Sequence, residues 1–137
     1  MPGLARALNF VRQDVSVTER DDQRAVFAAA CSARAWQAGG TVYQTADRLH
    51  EWAAVVRLVH SGAYDLVVVD TIDRLATTEA GRMAVLGMLR RTGIRVLAVR
   101  DGVDTGDPVG CALVDSLFTQ EMIRIGSGGC NATRPGF

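Results

Sequence analysis

A chain of 137 residues has the length of one domain, and its 48% hydrophobic and 6% aromatic residues favour an aliphatic α/β core. Basic and acidic residues number 15 each and lysine is absent, so the composition gives no general electrostatic reason to bind nucleic acid. The cysteines Cys31, Cys111 and Cys130 are widely spaced and no apolar run could span a membrane, so we expect a cytoplasmic protein without metal or cofactor.

The first half of the chain alternates strand and helix patterns. The short apolar run Ala7–Val11 predicts a strand. Apolar residues at helical spacing predict a helix from Glu19 to Ala38, with Thr18 as its N-cap. Gly39-Gly40 should end that helix, because glycine accepts the left-handed dihedrals of a C-cap. The segment Thr41–Tyr43 then predicts a second strand.

The second half continues the same alternation. Helical spacing predicts a helix over Leu49–His60 and another over Glu79–Arg91, the latter capped by Gly93. Between them, Leu66–Val69 is an aliphatic run without alternation, which is typical of a strand buried on both faces of a parallel sheet. A further strand is predicted over Ile94–Val99.

A turn-rich loop over Asp101–Pro108 precedes the last helix, predicted from Val109 to Ile125. We therefore expect one domain over residues 1–125 and a flexible, glycine-rich tail over residues 126–137. The element order predicts a three-layer α/β fold: an open, mostly parallel sheet with helices on both faces and a long C-terminal helix.

Polar segments follow three of the predicted strands. They are Arg12-Gln13-Asp14, Asp70 to Arg74, and Arg100-Asp101-Gly102 with Asp104-Thr105. Because ligands of open α/β sheets bind outside the carboxyl ends of the strands, these segments predict a crevice holding arginines and carboxylates. Position alone leaves open that they are ordinary solvated loop charges.

Five motifs follow one another along the chain. In order they are Phe10-Val11-Arg12, Gln23-Arg24, the segment from Gly62 to Val69, Asp73-Arg74-Leu75, and Asp104-Thr105 with Gly110. This succession resembles the catalytic domain of resolvase/invertase-type serine recombinases and covers nearly the whole chain. The resemblance implies a resolvase-like fold. It also implies a site where a serine attacks a DNA phosphodiester while arginines stabilise the charged phosphate.

Most residues that this resemblance would assign to DNA cleavage are replaced. The position of the nucleophilic serine holds Asp14, which cannot form a phosphoserine linkage and would repel the phosphate. The helix-start arginine of the family falls on Leu49, next to Arg48, and the second arginine after Asp-Arg-Leu falls on Thr77. Since one lost donor typically costs roughly 100- to 1000-fold in rate, we expect no measurable recombination.

The resemblance leaves a vestigial site composed of Arg12, Asp14, Asp73 and Arg74. We predict phosphate contacts for Arg12, Arg48 and Arg74, while a purely architectural role of Arg74 stays open. Ser16 is an alternative nucleophile if the loop after the first strand shifts.

The last helix is predicted to serve as a dimer helix, as the resemblance implies. Its apolar stripe consists of Leu113, Leu117, Phe118, Met122 and Ile123. The same stripe is equally consistent with packing on its own domain. Our leading hypothesis is a degenerate recombinase-like domain that binds protein, as a homodimer or with a regulatory partner, and has at most a weak DNA contact.

Three alternatives stay open. The first is an active recombinase that uses Ser16. The second is a receiver-like domain phosphorylated on Asp70, which the absence of lysine argues against. The third is a small-molecule sensor that uses the arginine-lined crevice.

Overall fold

The computed structural model describes residues 4–44 and 49–117, which form a mixed α/β fold around one sheet. The elements with defined bounds are β1 (Arg6–Arg12), α1 (Val17–Arg34), β2 (Gln37–Gln44), α2 (Leu49–His60), β3 (Leu66–Val69), a 3-10 helix (Ile72–Leu75), α3 (Glu79–Arg91), β4 (Val96–Ala98) and β5 (Val103–Asp104). Residues 108–117 form a further helical stretch, named α4 below.

The strands form one sheet in the order β2-β1-β3-β4-β5. The pairs β1–β2, β1–β3 and β3–β4 are parallel, and only the β4–β5 pair is antiparallel among the described strands. The predicted mostly parallel sheet is therefore confirmed. The antiparallel strand β5 lies inside the segment Asp101–Pro108, which the sequence predicted as loop.

Both faces of the sheet are covered, so the predicted three-layer arrangement is confirmed. On one face, Phe27, Ala30 and Cys31 of α1 pack against alternate strand residues such as Leu66 and Val68. The intervening residues point the other way, to the face covered by α2, α3 and α4. The buried residues of that larger cluster include Leu8, Phe10, Trp52, Val55, Val67, Val69, Leu86, Leu89 and Val114.

The central strand and two helices form where the sequence predicted them. β3 spans Leu66–Val69 and all four of its residues are buried, as an unalternating aliphatic run requires. The bounds of α2 and α3 also equal the predicted ones. On the inner face of α2, the Trp52 ring stacks on Phe10 of β1 with ring centroids 4.2 Å apart, which anchors α2 to the sheet.

The predicted helix from Glu19 to Ala38 was wrong at both ends. The N-cap is Ser16, not Thr18, because the Ser16 side chain accepts a hydrogen bond from the Glu19 backbone N–H. The helix stops at Arg34, since Ala35 adopts a left-handed φ of 56° and the Trp36 N–H donates back to the Cys31 carbonyl.

Gly39 and Gly40 lie in the middle of β2 and do not cap a helix. The pairing with β1 steps from Ala7–Ala38 to Asn9–Thr41, so the two glycines together face one residue of β1 in a bulge. A Cβ on Gly39 would lie 2.7 Å from the Ala7 carbonyl oxygen and would overlap the Tyr64 ring. Glycine is needed here because the Tyr64 ring and the Ala7 carbonyl both come close to the backbone of Gly39. Bulges are among the positions in strands where glycine commonly occurs.

Several predicted features lie outside the described residues: Arg48, Phe118, Met122, Ile123, Cys130, the C-terminal part of the helix predicted to Ile125, and the tail of residues 126–137. Within residues 4–44 and 49–117, no helix is both long enough and apolar enough to cross a membrane.

Candidate functional site

Parallel strands β1 and β3 bring their carboxyl ends together, and the residues that follow them form a pocket. The pocket has a volume of about 240 Å³ and is lined by Arg12, Asp14, Val15, Asp73, Arg74, Ala76, Thr77 and Arg82. All four residues predicted for the vestigial site therefore line one pocket at the predicted edge of the sheet.

Arg12 and Asp14 form an ion pair with two hydrogen bonds. The Arg12 side chain is 4% exposed, and its guanidinium donates from Nε to Asp14 Oδ1 over 3.0 Å and from Nη2 to Oδ2 over 2.7 Å. The backbone of Arg12 is fixed by Gln23, whose amide accepts from the Arg12 N–H and donates to the Arg12 carbonyl. Both oxygens of Asp14 thus contact the one arginine that ends β1.

Ser16 begins α1 and its hydroxyl is used twice in the cap. Oγ accepts from the Glu19 N–H over 3.1 Å and lies 3.1 Å from Glu19 Oε1, to which the hydroxyl donates. The sequence signal for this cap was available, since Ser16-Val17-Thr18-Glu19 has the Ser-x-x-Glu pattern of a capping box.

Arg74, in the 3-10 helix after β3, reaches back to the start of α1. Its Nη1 donates to Glu19 Oε2 over 3.0 Å, and its Nε lies 3.6 Å from Asp70 Oδ2. The hydrogen bond from Arg74 and a second one from Ser16 hold the pKa of the Glu19 carboxyl below its usual range. Glu19 is therefore a stable anion at neutral pH.

Asp70, the residue directly after β3, is enclosed by arginines. Its buried carboxylate accepts two hydrogen bonds from Arg100, which follows β4 and whose pKa these bonds raise further. A neighbouring aspartate, Asp101, accepts from the Ile72 N–H over 2.6 Å and holds the start of the 3-10 helix. These bonds tie the end of β3 to the end of β4.

Arg82 was missed by the sequence analysis. It lies one turn inside α3 and lines the pocket, with its Nε 3.6 Å from Asp73 Oδ1 and its Nη1 donating to the Ala76 carbonyl. Thr77, where the family resemblance places an arginine, lines the same pocket. A guanidinium thus reaches this region from α3, a placement that no local motif indicates.

Asp104 and Thr105 do not belong to this pocket, which corrects the expectation of a three-part crevice. β5 runs antiparallel to β4, so its carboxyl end lies beside the amino-terminal end of β4, away from the pocket. There Asp104 accepts two hydrogen bonds from Arg95, and Thr105 pairs with Val96 at the start of β4. A Cβ on Gly110 would overlap the Asp104 carbonyl, so this motif packs α4 closely on β5.

The described part of the predicted dimer stripe divides into two environments. Leu113 is 49% exposed, whereas Leu117 packs against the core cluster and Val114 between them is buried. One side of α4 therefore packs on its own domain and another side faces solvent.

No protein-family model and no curated protein matches the sequence, but solved structures match the fold. The N-terminal catalytic domain of TP901-1 integrase aligns with a TM-score of 0.69 and 16% identity, over 87% of this chain and 95% of that chain. A resolvase family site-specific recombinase from Streptococcus pneumoniae gives 0.64 and 17%, over 90% and 93% of the two chains. The C-terminal catalytic domain of ISC1926 TnpA, an IS607-like serine recombinase, gives 0.55 and 15%, over 68% of each chain. The chain has the serine-recombinase catalytic-domain fold.

In this recombinase fold the carboxyl edge is a region of balanced charge. Arg12, Arg74 and Arg82 line the pocket beside Asp14 and Asp73. Each of these arginines contacts a carboxylate: Arg12 contacts Asp14, Arg74 contacts Glu19 and Asp70, and Arg82 contacts Asp73. A phosphate group entering here must compete with anions that the chain itself supplies.

Proposed function

We propose that this chain is a recombinase-fold domain that does not cleave DNA and works by binding protein. The observation that carries the proposal is the Asp14 carboxylate, which lies in the pocket and takes two hydrogen bonds from Arg12. The family resemblance places a nucleophilic serine at this position. A carboxylate there cannot become a phosphoserine, and it neutralises the arginine that would otherwise attract a phosphate.

The remaining contacts of the pocket support the same proposal. Ser16, the alternative nucleophile, uses its hydroxyl to cap α1, and Arg74 is held by Glu19. Electrostatic stabilisation of a reacting phosphate requires donors that point at it before the reaction begins. Here the donors point at carboxylates, so contacts of Arg12 or Arg74 with a DNA phosphate would be weak.

The protein-binding part of the proposal rests on α4. Val109 is 67% exposed and Leu113 is 49% exposed, and the two residues lie one turn apart on the same face of the helix. An exposed apolar pair of this kind is suited to a helix–helix contact. We propose that it contacts a second copy of this chain, or another protein with a complementary apolar helix.

DNA cleavage is tested by incubating the protein with supercoiled plasmid and examining both reactants. We expect the plasmid to stay supercoiled and the intact protein mass to stay unchanged, with a nicking enzyme as the positive control for the DNA. The Ser16→Ala variant is run in parallel. Nicked DNA or a covalent protein–DNA adduct with the wild-type protein would contradict the proposal. If that activity disappears in Ser16→Ala, the alternative of a Ser16 nucleophile replaces it.

A further inference from the structure

The Glu19 carboxylate connects the alternative nucleophile to the arginine of the Asp-Arg-Leu motif. One of its oxygens, Oε1, lies 3.1 Å from Ser16 Oγ, and the other, Oε2, accepts from Arg74 Nη1 over 3.0 Å. The two donors come from different parts of the chain. Ser16 belongs to the same capping turn as Glu19, whereas Arg74 is 55 residues from Glu19 along the chain. A hydroxyl and a guanidinium converging on one anion is an arrangement that a phosphate group would also accept.

We propose that Glu19 is a tethered anion that occupies Arg74 and keeps phosphate groups out of the carboxyl-edge pocket. The proposal rests on the proposed loss of DNA cleavage, and it names a residue that regulates access of phosphate to the same site. Its chemistry is competition: a carboxylate fixed on α1 is present at high local concentration, so a free phosphate must displace it to reach Arg74.

The surroundings explain why Glu19, and not another carboxylate, has this role. Asp14 gives both of its oxygens to Arg12, and the buried carboxylate of Asp70 is held by Arg100. Glu19 is 47% exposed and lies on the surface of α1, so it can be changed without opening the core. The Arg74 side chain also lines the pocket of about 240 Å³ that contains Arg82, so a released Arg74 would face space large enough for a phosphate.

The test measures binding of inorganic phosphate to Glu19→Gln by isothermal calorimetry and by thermal shift. Glutamine keeps the size of the side chain and removes its charge, and Glu19→Ala is a second variant that removes the acceptor at this position, so that Asp70, 3.6 Å from Arg74 Nε, is the carboxylate left beside Arg74. The matched control is Asp21→Asn, which removes one negative charge from the same helix at an exposed position paired with Arg24. Far-UV circular dichroism checks that each variant keeps its helix content.

We expect Glu19→Gln and Glu19→Ala to bind phosphate about tenfold more tightly than the wild-type protein, which is the size of effect expected for one hydrogen bond to a charged group. Asp21→Asn should behave like the wild type, and the double variant Glu19→Gln/Arg74→Gln should lose the gain.

Three results would overturn the proposal: no gain in either Glu19 variant, an equal gain in Asp21→Asn, or a gain that survives the loss of Arg74. The plasmid assay of the wild-type protein tests the proposed loss of DNA cleavage independently of the phosphate-binding measurement. Cleavage in that assay would remove the proposed function while the phosphate measurement still decides the role of Glu19.

Discussion

Arg95 and Asp104 form an ion pair at the amino-terminal edge of the sheet. Arg95 donates from Nε and Nη2 to the two carboxylate oxygens over 3.0 and 2.8 Å, and the Gly106 N–H adds a third hydrogen bond to Asp104. The Arg95 guanidinium also lies over the Trp36 ring, 5.1 Å from its centroid. These contacts fix the short strand β5 against β4.

This pair predicts a pH-dependent stability. The hydrogen bonds from Arg95 hold the pKa of Asp104 below its usual range, so the folded state favours the ionised carboxylate. The stabilisation is fully present above the ordinary aspartate pKa of about 3.9 and is lost as the pH falls through the lower folded-state pKa. Because Arg95 is partly exposed, solvent screening limits the effect, and we expect Asp104→Asn to lower the free energy of unfolding by about 1–2 kcal/mol at pH 7.

Urea denaturation of the wild type and Asp104→Asn at pH 7 and in the acid range below the ordinary aspartate pKa measures this contribution. The difference between the two proteins should shrink toward zero as the solution is acidified. Asp21→Asn, which breaks an exposed pair with Arg24, should differ little from the wild type at any pH. A difference for Asp104→Asn that stays constant with pH would show that the ion pair is not its cause.

At the scale of elements, the bulge in β2 shows why one boundary could not be predicted from local sequence. Gly39-Gly40 has the composition of a helix stop, yet the pair lies inside a strand because Tyr64 packs against it. The Tyr64 hydroxyl accepts a hydrogen bond from the Gly40 N–H over 3.0 Å. That partner is more than 20 residues away along the chain, so no window around the glycines contains the information.

Gly39→Ala should therefore destabilise the protein by about 1–3 kcal/mol, the usual effect of forcing an extra methyl group into a packed site. The sign of the change in unfolding free energy distinguishes the two cases. A glycine-to-alanine change without a clash stabilises the protein by about 0.4–1 kcal/mol, because alanine lowers the conformational entropy of the unfolded chain. Thermal and urea denaturation measure the change. Tyr64→Ala by itself removes core packing and the hydrogen bond from Gly40, so the informative comparison is a double-mutant cycle. In the Tyr64→Ala background Gly39→Ala should cost less than in the wild type, since the ring is gone and only the contact with the Ala7 carbonyl remains. A more stable Gly39→Ala variant would contradict the close packing at this bulge.

The same distinction between local and distant information applies to the candidate site. The sequence predicted β3 from its aliphatic run and placed Arg12, Asp73 and Arg74 at one edge, because parallel strands end together. It could not predict that Arg74 pairs with Glu19 or that Arg82 approaches from α3, since both depend on how helices pack. It misplaced Asp104 because nothing in the loop sequence indicated that β5 turns antiparallel.

At the scale of the whole domain, the carboxyl-edge pocket and the exposed apolar pair of α4 lie on different elements of the described chain. The arginines of the carboxyl edge are paired with the chain's own carboxylates, so that edge offers little net charge to a partner. The exposed apolar pair Val109 and Leu113 lies instead on α4, the helix that comes after β5 in the chain. The surface proposed for protein contact is therefore separate from the pocket, and the two can be tested independently.

Leu113→Asp should weaken self-association if α4 is the contact surface. Placing a carboxylate in an apolar helix–helix contact removes the burial of a leucine and adds an unpaired charge, so the dimer dissociation constant should rise about tenfold or more. Sedimentation equilibrium over a range of protein concentrations measures it. Leu4→Asp is the matched control, because Leu4 is 62% exposed and precedes β1. Equal weakening by both variants, or a wild-type protein that stays monomeric at every concentration, would count against a homodimer formed through α4. In the monomeric case a heterologous partner would be left as the occupant of this surface.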